Sequence, residues 1–265
     1  MSLARLVEHR ALWAAKPVLA RVYEPWFDLL LGSCPREARV FEVGAGPGFL
    51  APFAARRRPD LHFFASDLHT APWNDLAADA FRLPLADDAV GAVVGLDVLH
   101  HLEHPAGFFR ESARVLTPGG RIALVEPWIT PLSWVVYRFF HQEDCRLAVD
   151  PWDPFPGGDK DSFEGDAAVP WRMVRQTKPE RWPELGLLPP RWRRLNAFGY
   201  LLSLGFRSAS LLPSWLATPM LALDRASSPL APLVALRAAI TWERAAFPPT
   251  SGGRRADRSG WRRHT

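Results

Sequence analysis

Val40-Phe41-Glu42-Val43-Gly44-Ala45-Gly46-Pro47-Gly48 is the stretch on which the fold turns. A short apolar run ends at a carboxylate, and three glycines follow at alternate positions. A buried strand delivers such a turn to a sheet edge, and glycine removes side chains where a bulky ligand lies against bare backbone. Taken alone, the glycines fit a plain tight turn equally well. The dinucleotide pattern Gly-x-Gly-x-x-Gly fails here, because its last position falls on Phe49.

Glu42 stands two residues ahead of Gly44. That compressed spacing suits a ligand with an amino acid in place of a pyrophosphate. The carboxylate attracts an ammonium group, directly or through water, while the backbone passes beneath a nucleoside. S-adenosylmethionine has both parts. Downstream, Phe49 to Arg58 reads as a helix with Pro52 in its first turn. Leu61 to Ser66 reads as a second buried strand, ending at Asp67 and Leu68. An acid about twenty residues beyond the loop is placed to hold a ribose diol. A strand-end Asp also serves as a helix cap or turn former, so two readings stay open. Asp79 is placed to accept an adenine amine, with Ala80 offering backbone beside the ring.

The strand Val90 to Leu96 closes at Asp97 and leads into His100, His101 and His104. A helix from Ala106 to Leu116, the turn Thr117-Pro118-Gly119-Gly120 and a strand from Arg121 to Val125 follow, ending at Glu126. Strands alternating with helices predict an open, mostly parallel sheet covered on both faces.

In this order the segments resemble the class I S-adenosylmethionine-dependent methyltransferases, closest to the small-molecule branch that includes quinone-biosynthesis methylases. The matching residues are Glu42 to Gly48, Asp67, Asp79-Ala80, Leu83 to Asp88, Asp97 to His101 and Arg114 to Gly120, within residues 38–127. The resemblance implies an α/β, Rossmann-like doubly wound sheet of seven strands with the last antiparallel, plus N-terminal helices and an aromatic-rich insertion or cap. It implies S-adenosyl-L-methionine as cofactor, S-adenosyl-L-homocysteine as product, and no metal. Glu42, Gly44, Ala45, Gly46, Gly48, Asp67, Leu68, Asp79, Ala80, Leu96 and Asp97 are the expected cofactor residues. Gly91 stands where such sequences usually carry an acid, which implies altered local packing.

At 265 residues with 48% apolar content, the chain supports one substantial core plus a cap. The formal charge of +4 invites a nucleic-acid reading, but residues 254–263 hold five arginines and one aspartate, the whole excess. The body is neutral, so no nucleic-acid partner is expected. Leu96-Asp97-Val98-Leu99 also replaces the Asn/Asp-Pro-Pro-aromatic segment of amino-methylating relatives. A basic 251–265 tail reads as solvated and disordered, with weak attraction to an anionic membrane surface as the alternative. Cys34 and Cys145 form no metal or redox motif and fit a reducing, cytoplasmic interior. Charges at Arg5, Glu8 and Arg10 argue against a signal peptide. The longest uncharged run, Ser208 to Leu223, holds two prolines and is shorter than the ~20 residues of a spanning helix.

Five segments are expected: helices over 1–35, a cofactor core at 36–127, a helix with an acidic Pro/Trp-rich lid or insertion at 128–190, completion of the fold at 191–250, and the tail. Residues 2–31 read as two helices, the second disturbed by Pro25; they shape the acceptor site or simply pack. Ile129 to Phe140 reads as a helix. In the lid, aromatic residues such as Trp152 and Trp171 exclude water from the acceptor or pack ordinarily. Its acids do not make an EF-hand, since Glu164 falls where glycine is needed. Arg191 to Ala197 reads as a late strand and Phe198 to Leu204 as a short helix. Leu211 to Ala239 reads as a back wall, an acceptor tunnel or an interfacial patch.

The reaction class follows from the resemblance: methyl transfer to O, N or C of a small, apolar or aromatic acceptor. A non-catalytic cofactor-binding regulator or scaffold is the alternative. Where the nucleophile must lose a proton, His100 or His101 is the candidate general base, against local hydrogen bonding alone. Glu126, His141 and Glu143 rank below them. A zinc site on these histidines is disfavoured, for His-Glu-x-x-His is absent and no partner ligand is evident.

Overall fold

The structure, a computed structural model, describes residues 3–140, 143–155, 161 and 164–246. The expected basic tail and His141 lie outside the described residues.

Two helices open the chain, α1 (Leu3–Ala15) and α2 (Pro17–Ser33). Pro17 occupies the first helical position, where a missing N–H does little harm, and α2 runs on through Pro25 as one helix. Next come β1 (Arg39–Glu42), α3 (Leu50–Arg57), β2 (His62–Asp67), β3 (Leu76–Ala77), β4 (Val90–Leu96), α4 (Pro105–Val115) and β5 (Leu116–Pro127). The second half adds α5 (Pro131–Phe140), α6 (Val169–Gln176), α7 (Arg181–Glu184), β6 (Arg191–Leu195), α8 (Phe198–Ser203), α9 (Ala217–Ala226), α10 (Ala231–Val234) and β7 (Arg237–Glu243).

The seven strands form one sheet in the order β3-β2-β1-β4-β5-β7-β6. Pairing is parallel from β3 to β5, and β7 is antiparallel to both β5 and β6. This is the doubly wound, Rossmann-like sheet, with an antiparallel last strand, that the resemblance to class I methyltransferases implies. Strand order reverses between β1 and β4, and such a switch point opens a ligand crevice at the carboxyl ends of the strands. Glu42 and Asp97 stand at those two ends.

Side-chain alternation sends neighbours to opposite faces. Phe41 and Val93 join a core with Phe109, Trp128, Met173, Trp182 and Trp242, while Val40, Ala92 and Val94 meet the α2 stripe of Val22, Trp26 and Leu30. The aromatic segment after β5 therefore supplies core. Trp182 packs edge-on to Phe109, with centroids 5.3 Å apart, and Trp152 lies 5.7 Å from Trp182.

Two details depart from the sequence reading. Residues Thr117 to Gly120 lie inside β5, where the register with β4 slips between Val90 and Ala92. The two-residue β3 is not among the strands expected from the sequence, nor is β7, which begins at the end of the apolar stretch Leu211 to Ala239. Gly91 has a packing cause: a Cβ there would lie 2.8 Å from the Ala38 Cβ. Among the described residues, no helix is long and apolar enough to cross a membrane.

Candidate functional site

A cavity of about 1030 Å³ opens at the switch point. The β1 loop forms its floor. Gly44 has φ +66°, and a Cβ there would meet the Val98 side chain at 2.6 Å, so the loop can close against the segment after β4 only with glycine. Gly46 donates its N–H to Asp67 Oδ2 at 2.8 Å, which ties the loop to the end of β2. Asp67 Oδ1 accepts from the His69 N–H at 3.0 Å. A carboxylate has about four lone-pair sites, so Asp67 retains capacity for a diol after these two bonds.

Of the eleven expected cofactor residues, ten line the cavity: Glu42, Gly44, Ala45, Gly46, Asp67, Leu68, Asp79, Ala80, Leu96 and Asp97. Gly48 does not. Its Cβ position is taken by Trp73, 2.5 Å away, and the Trp73 indole donates to the Gly46 carbonyl at 2.8 Å. Helix α1 covers the loop from outside: Arg10 donates to the Pro47 carbonyl at 2.6 Å and lies 4.6 Å over the Trp73 ring.

Glu42 is the most telling residue. It is buried, and among the described residues its Oε2 has no hydrogen-bond partner. Burial, with the charges of Asp67 and Asp75 nearby, pushes its carboxyl up to about 8. A buried acid held out of its ordinary range beside a cavity marks a ligand site. Asp79 is exposed and uses Oδ1 to cap the Phe81 N–H at 2.8 Å.

At the far end, Asp97 has φ +57°, an uncommon backbone state that Asp tolerates better than most residues. Its side chain is ion-paired with Arg237, which is buried and lies 4.4 Å over the Trp26 ring and 4.9 Å from Tyr200. Tyr23, Tyr137, Tyr200 and Phe206 line this end. The sequence reading did not single out Arg237; a lone charge inside the apolar run Leu236 to Ile240 was its signal.

The histidines also face the cavity. His100 Nδ1 lies 2.6 Å from Glu126 Oε2, and its Nε2 lies 3.2 Å from Glu143 Oε2. Burial lowers the affinity of this imidazole for a proton, but the two carboxylates outweigh it and push His100 up to about 10. Glu126 Oε1 accepts from the N–H groups of Val98 and Leu99, both at 2.8 Å. Glu143, ranked below the histidines from sequence, thus reaches the same point as they do.

Residues 41–124 match the model of the methyltransferase domain family. A 54-residue stretch is 43% identical to 27-O-demethylrifamycin SV methyltransferase of Amycolatopsis mediterranei, covering 20% of each chain. Over 103 residues the chain is 30% identical to methyltransferase GfsG of Streptomyces halstedii, covering 33% of this chain and 37% of that one. An uncharacterized methyltransferase of Mycolicibacterium vanbaalenii is 27% identical over 147 residues, 51% of this chain and 57% of the relative. The matches therefore span from a fifth to just over half of these relatives' lengths. Among solved structures, geranyl diphosphate C-methyltransferase from Streptomyces coelicolor is 16% identical, covering 84% of this chain and 78% of that one, with a TM-score of 0.49.

Proposed function

From a chain whose residues 41–124 match the methyltransferase domain model, we propose that the protein transfers a methyl group from S-adenosylmethionine to a small, apolar or aromatic acceptor. The observation that carries this reading is the buried Glu42 oxygen, without a partner among the described residues, at the lip of a glycine loop in the switch-point cavity. An orphaned buried acceptor is costly, and a ligand ammonium removes that cost. The other residues fit the same molecule: Asp67 for the ribose hydroxyls, Asp79 and the Ala80 backbone for adenine, bare main chain at Gly44 and Gly46 beneath the ligand.

Bound there, the cofactor supplies an electrophilic methyl on a sulfonium. The protein's own part is to position the acceptor and exclude water. Tyr23, Tyr137, Tyr200 and Phe206 offer ring faces that favour an apolar or aromatic acceptor. Both ring nitrogens of His100 already face carboxylates, which argues against it as the base that takes an acceptor's proton. His101 directs Nδ1 to the Glu164 carbonyl at 3.1 Å and is the imidazole nearer solvent.

The test is transfer of a labelled methyl group from S-adenosylmethionine to metabolites of a cell extract, beside calorimetry with S-adenosylhomocysteine and NAD. Labelled product with tight homocysteine-analogue binding supports the reading. Preferential NAD binding overturns it, and cofactor binding with no labelled product would favour a scaffold.

A further inference from the structure

His100 and His101 are adjacent in the chain, yet their Nε2 atoms converge on one carboxylate. His100 Nε2 lies 3.2 Å from Glu143 Oε2, and His101 Nε2 lies 3.7 Å from Glu143 Oε1. One ligand atom from each of the three residues falls within 4.8 Å of the other two. The two contacts go to different oxygens of the one carboxylate, so Glu143 faces both imidazoles at once. Both are longer than the roughly 2.7–2.9 Å of a charge-assisted hydrogen bond.

The outer nitrogen of each ring is held as well. His100 Nδ1 lies 2.6 Å from Glu126 Oε2, and His101 Nδ1 lies 3.1 Å from the Glu164 carbonyl oxygen. Metal-bound imidazoles almost always donate their second N–H to a carboxylate or backbone carbonyl, which fixes the tautomer and aims the free nitrogen. Glu126 is itself anchored by the Val98 and Leu99 N–H groups, so it orients His100 rigidly.

The backbone is shaped to the pair. A Cβ at Gly165 would stand 2.8 Å from the His101 ring and 2.9 Å from the His100 ring, so only a bare Cα lets both imidazoles seat. The Asp166 N–H donates to the His100 carbonyl at 3.0 Å. A bridge between Asp144 and Asp166 then carries Glu143 alongside the histidines.

We infer that His100, His101 and Glu143 ligate a divalent transition-metal ion of the zinc class at the acceptor end of the cavity. Two imidazole nitrogens and one carboxylate select such an ion over magnesium or calcium, which prefer all-oxygen shells. Three protein ligands leave a fourth position for water or an acceptor oxygen, the pattern of a reactive rather than a structural zinc site. A second grouping, Asp97, His100 and Glu126, is satisfied by protein: Asp97 by Arg237, Glu126 by backbone N–H groups and His100. The inference concerns ligation and stands apart from methyl transfer.

The full chain, stripped with a chelator and dialysed, is titrated with Co²⁺ followed by its visible absorption, and with Zn²⁺ by calorimetry. One equivalent of each is expected to bind, with at least tenfold weaker affinity in Glu143→Gln, His101→Asn and Gly165→Ala. Circular dichroism and thermal unfolding check that each variant is folded. Stoichiometric binding that is lost in any folded one of these variants supports the site. Absence of stoichiometric Co²⁺ and Zn²⁺ binding by the wild type overturns it, as does unchanged affinity across the folded variants. Wild type that binds metal but not S-adenosylhomocysteine would overturn the cofactor reading and leave the metal site standing.

Discussion

Asp97, in a left-handed backbone conformation just past β4, is ion-paired with Arg237, the first residue of β7 and 140 positions further on. The pair joins the switch point to the antiparallel side of the sheet, where β7 lies between β5 and β6. The two partners are unequally buried, with side chains 28% exposed for Asp97 and 5% for Arg237. Removing one partner of a buried pair costs about 3–5 kcal/mol, because the other charge stays behind unpaired. Asp97→Ala leaves the guanidinium buried among the rings of Trp26 and Tyr200, and a loss of roughly 3 kcal/mol is expected. Arg237→Met leaves a carboxylate that water can reach, so it is expected to cost less. Urea unfolding of the two variants checks the order; a larger loss for Arg237→Met would refute it.

Lys16, between α1 and α2, donates from one buried ammonium toward four carbonyls: Ser203, Gly205, Arg207 and Ala209, at 2.7–2.9 Å. Three N–H groups serve four acceptors, so at least one hydrogen is shared. The held segment includes Gly205 and Arg207, which line the cavity beside Phe206. Lys16→Met keeps the length but strands the carbonyls, and a stability loss of about 2–4 kcal/mol is expected from their desolvation. Calorimetric unfolding measures it.

The parallel half of the sheet is legible in the sequence because its signals are local. The run Val90 to Leu96 is apolar throughout, as a strand buried on both faces must be. Glu42 and Asp67 announce themselves as acids at the ends of such runs. β7 was hidden for the opposite reason: Arg237 interrupts the apolar pattern, and only Asp97 and the neighbouring rings, remote in sequence, make that charge tolerable. Gly48 looked like a ligand-facing glycine, but its role is decided by Trp73, 25 residues away in a loop whose path no local pattern predicts. Glu143 could be named from sequence as a candidate, yet its approach to the histidines depends on the bridge between Asp144 and Asp166 across an irregular segment.

Asp67 has two tasks, and one substitution separates them poorly. Asp67→Ala removes the acceptor for a ribose diol and also the anchor of the Gly46 N–H. A loss of about 1–3 kcal/mol in S-adenosylhomocysteine binding is expected for the unpaired hydroxyls. Asp67→Asn retains one carbonyl oxygen for Gly46 and should recover part of that loss. Calorimetry on both variants tells the tasks apart, and unchanged affinity in Asp67→Ala would remove the residue from the cofactor site.

Glu42 makes affinity depend on pH in a direction that can be worked out. Its carboxyl is raised from 4.5 to about 8 by burial and by the charges of Asp67 and Asp75. Below pH 4.5 the group is protonated in both folded and unfolded chains and does not penalise the fold. As pH rises from 4.5 toward 8 the unfolded chain gives up the proton and the folded one keeps it, so stability falls across that window and levels off above it. Glu42→Gln, neutral throughout, should therefore match wild type near pH 4 and exceed it by roughly 4 kcal/mol at pH 8. An arriving ammonium reverses the preference, because it is attracted only to the ionised carboxylate. Binding must then expel the proton, and wild-type affinity for S-adenosylhomocysteine should climb between pH 5 and 8, by up to about tenfold per unit. Titrations in two buffers of different ionisation enthalpy report the released proton. Glu42→Gln should bind weakly, with a flat pH profile and no release. A variant that keeps the wild-type slope would show that another group titrates and that Glu42 does not meet the ligand's ammonium.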